Sequence, residues 1–281
     1  MSGDRLNDVG QRIAAMRQLD SVFTAMRGLA SARAQDARRN LEGVRAYART
    51  LGETISVALA LAQDEQETLR SRAESSKACE IVLAFCAEQG FVGAFNERVL
   101  TAAAKQTGLG ASLFLVGERG VTVAAERGIE IAWSTSMAAH ADDTPILAER
   151  IAEALYGKLA VDATARVTLV HCAPASAGEN ILVTRSLIPL DLTRFPAPRV
   201  LRPPLVNLPP QLLIANLAEE YIFAELCEAA ALSLAAENVA RIQAMTMARN
   251  NVRRMLDQLT ARYRHLRQEQ ITEELLEISR L

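Results

Sequence analysis

Aromatic residues make up only 4% of the 281-residue chain, too few for the β-sandwich and barrel folds that are built on them. Cysteine is scarce as well. Cys79, Cys86, Cys172 and Cys227 include no C-x-x-C pair, so buried free thiols in a reducing compartment are expected rather than metal or redox chemistry. Long apolar runs are missing: Ile55–Ala62 and Ala229–Ala236 fall far short of the roughly 18 residues of a membrane span. Asp4, Arg5 and Asp8 stand where a signal peptide would be apolar. The expectation is a soluble protein that meets a membrane only through partners. A net charge of -2 gives no general attraction to nucleic acid, and no nucleic-acid partner is expected.

The most informative absences are local. From Gln211 to Leu281 there is neither glycine nor proline. Uninterrupted helix over 71 residues would span roughly 105 Å, wider than any compact domain of this size, so it must lean on another long helix or on other chains. Val252, Leu256, Leu259, Tyr263 and Leu266 step by 4, 3, 4 and 3, the a/d rhythm of a coiled coil, with arginines and Asp257 between them. No proline occurs before Pro145. Leu6, Val9, Ile13 and Met16, then Phe23, Met26, Ala30 and Arg33, repeat the rhythm. A second long helix is therefore expected over 1–62, followed by a connector at 63–77.

Between the helices, 78–188 reads as a small α/β domain. Cys79–Cys86, Ser112–Val116, Ile129–Trp133 and Val167–His171 are short apolar runs suited to a largely parallel sheet covered on both faces. Ile181–Ile188 is a further strand. Helices are expected at Phe95–Gln106, about Gly117–Glu126 and Pro145–Leu159. Seven of the nine prolines then crowd Pro189–Pro210, a connector that can be neither helix nor central strand. The fold class is α/β: an antiparallel coiled coil of the two terminal helices with an inserted βαβ-type domain.

A catalytic constellation does not emerge. Gly90 and Gly93 follow a strand and precede a helix, where phosphate loops sit, but the spacing fits neither glycine-rich phosphate motif and no lysine is placed to meet a phosphate. His140, Asp142 and Asp143 form a short polar cluster better read as a solvated loop than as a metal site. His171-Cys172 closes a strand, with no base or orienting group near it in sequence. His265 sits among arginines and is read as a surface residue.

Specific motifs lie on the last helix. The run Ser233-Leu234-Ala235-Ala236-Glu237-Asn238-Val239-Ala240-Arg241-Ile242-Gln243-Ala244-Met245 is similar to SLxSEhxARMxAM, and Tyr263 to Ile278 is similar to YNKxRQxxITxELxEI. Val22-Phe23-Thr24-Ala25-Met26 is similar to ITxAM. Glu88 to Asn96 is similar to a degraded DRGLCGGLN, and Gly117 to Val121 to GxKG. These are motifs of the gamma subunit of F-type ATP synthases and ATPases, in the right order across the whole chain. The chain resembles a divergent member, with Phe23 for the family threonine and Arg33 for its lysine.

The resemblance implies a coiled-coil shaft with an α/β head and no catalytic site or cofactor of its own. It implies contacts to the beta subunits and their bearing at Met26, Arg33, Glu88, Arg241, Arg267 and Gln268. Arg38, Arg39, Arg199 and Arg202 would meet the membrane rotor ring of c subunits. Alpha, beta and epsilon-type subunits are the other implied partners, on the cytoplasmic face of a bacterial inner membrane. Heptads alone would also suit a coiled-coil scaffold or adaptor, and the head alone a small α/β enzyme with helical arms. The coupling ion, and whether the complex is a main or an alternative ATPase, stay open.

Overall fold

A computed structural model describes residues 2–61, 80–106, 111–160, 166–175, 179–195 and 205–279. The expected connector at 63–77, Cys79, and residues 196–204 of the proline-rich connector lie outside the described residues. Helix α1 runs Ser2–Leu61 and the last helix, α5, Pro210–Ile278. Between them come β1 (Glu80–Phe85), α2 (Phe95–Gln106), β2 (Ser112–Val116), α3 (Glu118–Glu126), β3 (Trp133–Thr135), α4 (Thr144–Leu159), β4 (Arg166–Pro174) and β5 (Asn180–Ile188). Two compact units are formed, one from Met1–Ser31 with Arg241–Leu281, the other from Ala32–Ala240.

In the first unit the helices run antiparallel. Gly10 faces the Tyr263 ring, where a Cβ would lie 3.7 Å from Cε2. Asp20 receives Arg249 at 3.0 Å and Arg253 at 3.5 Å, so rising numbers on one helix meet falling numbers on the other. Val9, Ile13, Met245 and Val252 are buried. Met16, Leu256, Leu259, Tyr263 and Leu266 are half-buried, whereas Arg253, Arg254, Asp257, Arg262, Arg264 and Arg267 are exposed. His265 is exposed and pairs with Glu269 one turn on, at 3.3 Å.

The second unit is a five-stranded sheet of order β3-β2-β1-β4-β5. The first four strands in that order are parallel, and β5 returns antiparallel to β4. Both faces of β1 are covered, as its unbroken apolar run requires. Ile81, Leu83 and Phe85 join Leu147, Ile151 and Leu155 of α4 and Leu226, Ala229, Ala230 and Ala235 of α5 in one core. Val82 and Ala84 join Phe95, Val99 and Leu100 of α2 and Ala124 of α3 in the other. In this unit also α1 is bonded to α5: Arg45 Nε donates to Glu228 at 2.8 Å and the Tyr47 hydroxyl to Glu220 at 2.8 Å.

Two sequence expectations need correction. The third strand is Trp133–Thr135, not Ile129–Trp133. Gly128, at φ +66°, turns the end of α3 back on itself, and Ile129 N–H caps that helix by donating to the Ala124 carbonyl at 3.0 Å. Ile129 is thus spent on a helix end before the chain can join the sheet. His171-Cys172, expected to close a strand, lies inside β4, because the hairpin with β5 extends the pairing to Pro174.

The seam yields a prediction. Leu259→Pro removes a backbone hydrogen bond and clashes with the preceding turn, at about 3 kcal/mol or more. Leu259→Ala at this half-buried position costs less than the roughly 2–5 kcal/mol of a buried leucine. Thermal unfolding of the purified chain should therefore show a much larger loss for proline than for alanine; equal losses would contradict a continuous paired helix here.

Candidate functional site

The carboxyl ends of the parallel strands are where open α/β sheets bind ligands. Here they are tied together by the chain's own carboxylates. After β1, the Glu88 carboxylate accepts from Met137 N–H at 2.7 Å, beyond β3, and from Glu118 N–H at 3.2 Å, at the amino end of α3, where an anion is favoured. Glu237 of α5, 3% exposed, accepts from Glu88 N–H at 3.2 Å and Gln89 N–H at 3.5 Å. Asn96 Oδ1 accepts from Ala87 N–H at 2.8 Å. Backbone amides that would cradle a phosphate are therefore engaged from within.

This packing demands glycine. Gly117 holds φ +103°, and a Cβ there would lie 2.5 Å from the Cys86 carbonyl oxygen; at Gly120 one would lie 2.2 Å from Cys86 Cβ. The sequence pattern Gly117-Glu118-Arg119-Gly120 is thus a close approach of α3 to β1 rather than a ligand loop. Phe91, in the same edge, adopts φ 60° with its ring exposed, a conformation costly for a bulky residue.

A second buried carboxylate lies lower on α5. Glu225, 3% exposed, receives Arg185 of β5 at 2.6 Å and Arg194 at 3.2 Å. Arg194 also lies 5.7 Å from the centre of the Tyr221 ring, which meets Phe195 edge-on. Burial, and then the Glu225 charge, push the Tyr221 hydroxyl up to about 12. A cavity of about 740 Å³ opens beside this cluster, lined by Arg49, Gly52, Ser56, Phe195, Tyr221 and Glu228. Another of about 350 Å³ is lined by Arg33, Asp36, Arg39, His140 and Asp142.

The other candidate groups have local or buried settings. In the polar cluster read as a solvated loop, His140 and Asp142 are exposed, and Asp143 accepts from His140 N–H at 3.2 Å and closes a turn before α4. Among the described residues no three potential metal ligands cluster. Cys86, Cys172 and Cys227 are buried free thiols. Burial raises all three, Cys172 and Cys227 to about 11, so they stay protonated near neutrality.

The residues expected to touch neighbouring subunits fall into different settings. Arg267, Gln268, Arg38 and Arg39 are exposed, with Arg39 beside Asp36 at 3.5 Å. Met26 and Arg33 are half-buried, and Arg33 Nε is a buried donor without an acceptor. Arg241 is only 5% exposed, and the Glu88 carboxylate is bonded within the head's own network. Arg199 and Arg202 lie outside the described residues. The roles of Glu225 and Glu237 were not legible: each sits in a helical run whose partners are tens of residues distant.

His171 supplies a pH prediction. It is 1% exposed, and its Nδ1 lies 3.2 Å from the Cys172 carbonyl oxygen, which can only accept, so Nδ1 carries the proton. Nε2 is buried without a partner. Burial holds the ring down to about 4, outweighing the Cys172 hydrogen bond, while Arg185 lowers and Glu228 raises it. A lowered basic group is neutral in the folded state, so the unfolded chain takes up the proton first. Stability should fall as pH drops from about 6.5 to about 4, by up to about 1.4 kcal/mol per pH unit, and level off below. Urea midpoints of wild type and His171→Gln should therefore converge with acidification; parallel pH curves would contradict this.

Comparison with known proteins agrees with this architecture. The family model for ATP synthase matches residues 5–280. The ATP synthase gamma chain of Bdellovibrio bacteriovorus is 27% identical, over 97% of this chain and 96% of that one. That of Bacteroides thetaiotaomicron is 28% identical, over 97% of each. In fold, the chain is similar to a chain of the Euglena gracilis mitochondrial ATP synthase rotor, with TM-score 0.67 and 13% identity over 96% of this chain and 99% of that one. It is also similar to one of the Tetrahymena thermophila central stalk and c-ring, with TM-score 0.58 and 18% identity over 81% and 99%. Two long terminal helices around a head, and a sequence match along nearly the entire length, place this chain in the ATP synthase gamma-chain family.

Proposed function

We propose that this chain is the central rotor shaft of an F-type ATP synthase or ATPase, a non-catalytic subunit that couples rotation of an ion-driven membrane ring to conformational cycling of the beta catalytic sites. The observation that carries this reading is the match of the ATP synthase family model over residues 5–280, in a chain with two long terminal helices. The partners are the alpha and beta subunits of the catalytic hexamer, an epsilon-type subunit and the c-subunit ring. The complex is membrane-associated, and the chain lies peripherally on the cytoplasmic face of a bacterial inner membrane.

The mechanism needs asymmetry and stiffness rather than chemistry. A shaft with unlike sides gives each beta subunit a different contact free energy, and only a differential free energy can shift a conformational equilibrium. The exposed Arg267 and Gln268 on α5 are the side chains offered to the beta subunits and their bearing, with Met26 and Arg33 on α1. The basic residues Arg38, Arg39, Arg199 and Arg202 are the ones proposed to bind the polar loops of the ring.

A variant carrying Arg267→Ala and Gln268→Leu tests this reading. Because both side chains are exposed, the subunit should fold and assemble. Loss of a charged hydrogen bond of about 1.5 kcal/mol should lower coupled ATP turnover of the reconstituted complex roughly tenfold. Turnover equal to wild type would remove these two residues from the drive surface.

A further inference from the structure

The face that α5 turns to the sheet sets Ile222, Leu226 and Leu234 beside the small side chains of Ala229, Ala230 and Ala235 in one buried core. Dispersion and apolar burial hold this contact, but they are non-directional. A shaft must transmit torque between head and helix, so this contact needs directional bonds.

Such bonds occur at two levels of α5, on either side of these alanines. At the first, Glu225 takes Arg185 of β5 at 2.6 Å and Arg194, just past β5, at 3.2 Å. At the second, Glu237 takes the amides of Glu88 and Gln89 at 3.2 and 3.5 Å. Beside it Asn180 Nδ2 donates to the Ala236 carbonyl at 2.7 Å. Glu88 passes the second attachment on, through Glu118 and Met137, to the ends of β2 and β3. Twelve residues of helix, about 18 Å, separate the two carboxylates. Both are 3% exposed, and charged hydrogen bonds out of water are stronger and more directional than exposed ones.

We propose that Glu225 and Glu237 are positioning residues that pin α5 to the head at two levels, so that load applied to the head turns the helix with it. Two pins apart on one helix resist both sliding and rolling, whereas one pin would leave a pivot. The partners of both carboxylates belong to the head itself, so their contribution is read most directly when force crosses the junction. This rests on the rotor reading, and the test separates the two.

Glu225→Gln and Glu237→Gln keep size and shape and remove the charge. Each is built into the complete membrane complex and, in parallel, into the soluble complex of alpha, beta and this chain, where the head carries no load. The readouts are ATP hydrolysis in both complexes and ions pumped per ATP in the complete one. The pins predict that the double variant hydrolyses ATP in the soluble complex as wild type does. In the complete complex its ions pumped per ATP should fall at least about twofold, more than for either single variant. Because the ratio is taken per assembled, turning-over complex, a loss of yield or stability alone would not move it. A wild-type ratio in the assembled double variant would overturn the pins and leave the rotor reading standing. Failure of the wild-type chain itself to support coupled pumping would overturn the rotor reading. If the double variant does not assemble, Glu237→Gln alone is read in the same assay with the same two outcomes.

Discussion

A carboxylate taken out of water must find donors, and Glu237 finds them in the backbone that closes the carboxyl edge of the sheet. That requirement organises the head. The loop after β1 is drawn onto α5, Glu88 is left to serve the amides at the start of α3 and after β3, and Gly117 and Gly120 are needed because the backbone and the side chain of Cys86 pass so close. An edge that in other α/β folds receives a phosphate is here joined by the protein's own side chains. The same geometry that fills the anion positions fastens the sheet to a long helix, which suits a part that transmits force.

The long helices were legible because what they exclude is absent: a stretch without glycine or proline from Gln211 onward, and none of the latter before Pro145. The heptad steps through Val252, Leu256, Leu259, Tyr263 and Leu266 give the residues found buried or half-buried. The buried strands were equally plain, since β1 and β4 read as continuous apolar runs. What the sequence hid is of long range. Glu88 reads as a loop acid, yet its partners lie 30 and 49 residues away. Glu237 and Arg241 read as part of one helical motif run and are both buried. Ile129 reads as the start of a strand, but Gly128 ends a helix in a way that consumes it.

The charges sort by setting. Asp20 with Arg249 and Arg253 fixes the antiparallel register of the coiled coil at a half-exposed site, worth little in free energy but specific in position. Glu225 with Arg185 and Arg194 is buried, and its value lies in geometry more than in net stability. Arg267 and Gln268 remain at the surface of α5, available to whatever surrounds the shaft.

The central claim is that this chain turns inside a catalytic hexamer. The direct measurement fixes the alpha–beta hexamer to a surface, attaches a visible probe to the head of this chain and supplies ATP. The account predicts one-way rotation of the probe in thirds of a turn, stopping when ATP is exhausted. A hexamer that hydrolyses ATP at full rate while the head stays still, or a chain that does not join the hexamer, would contradict it.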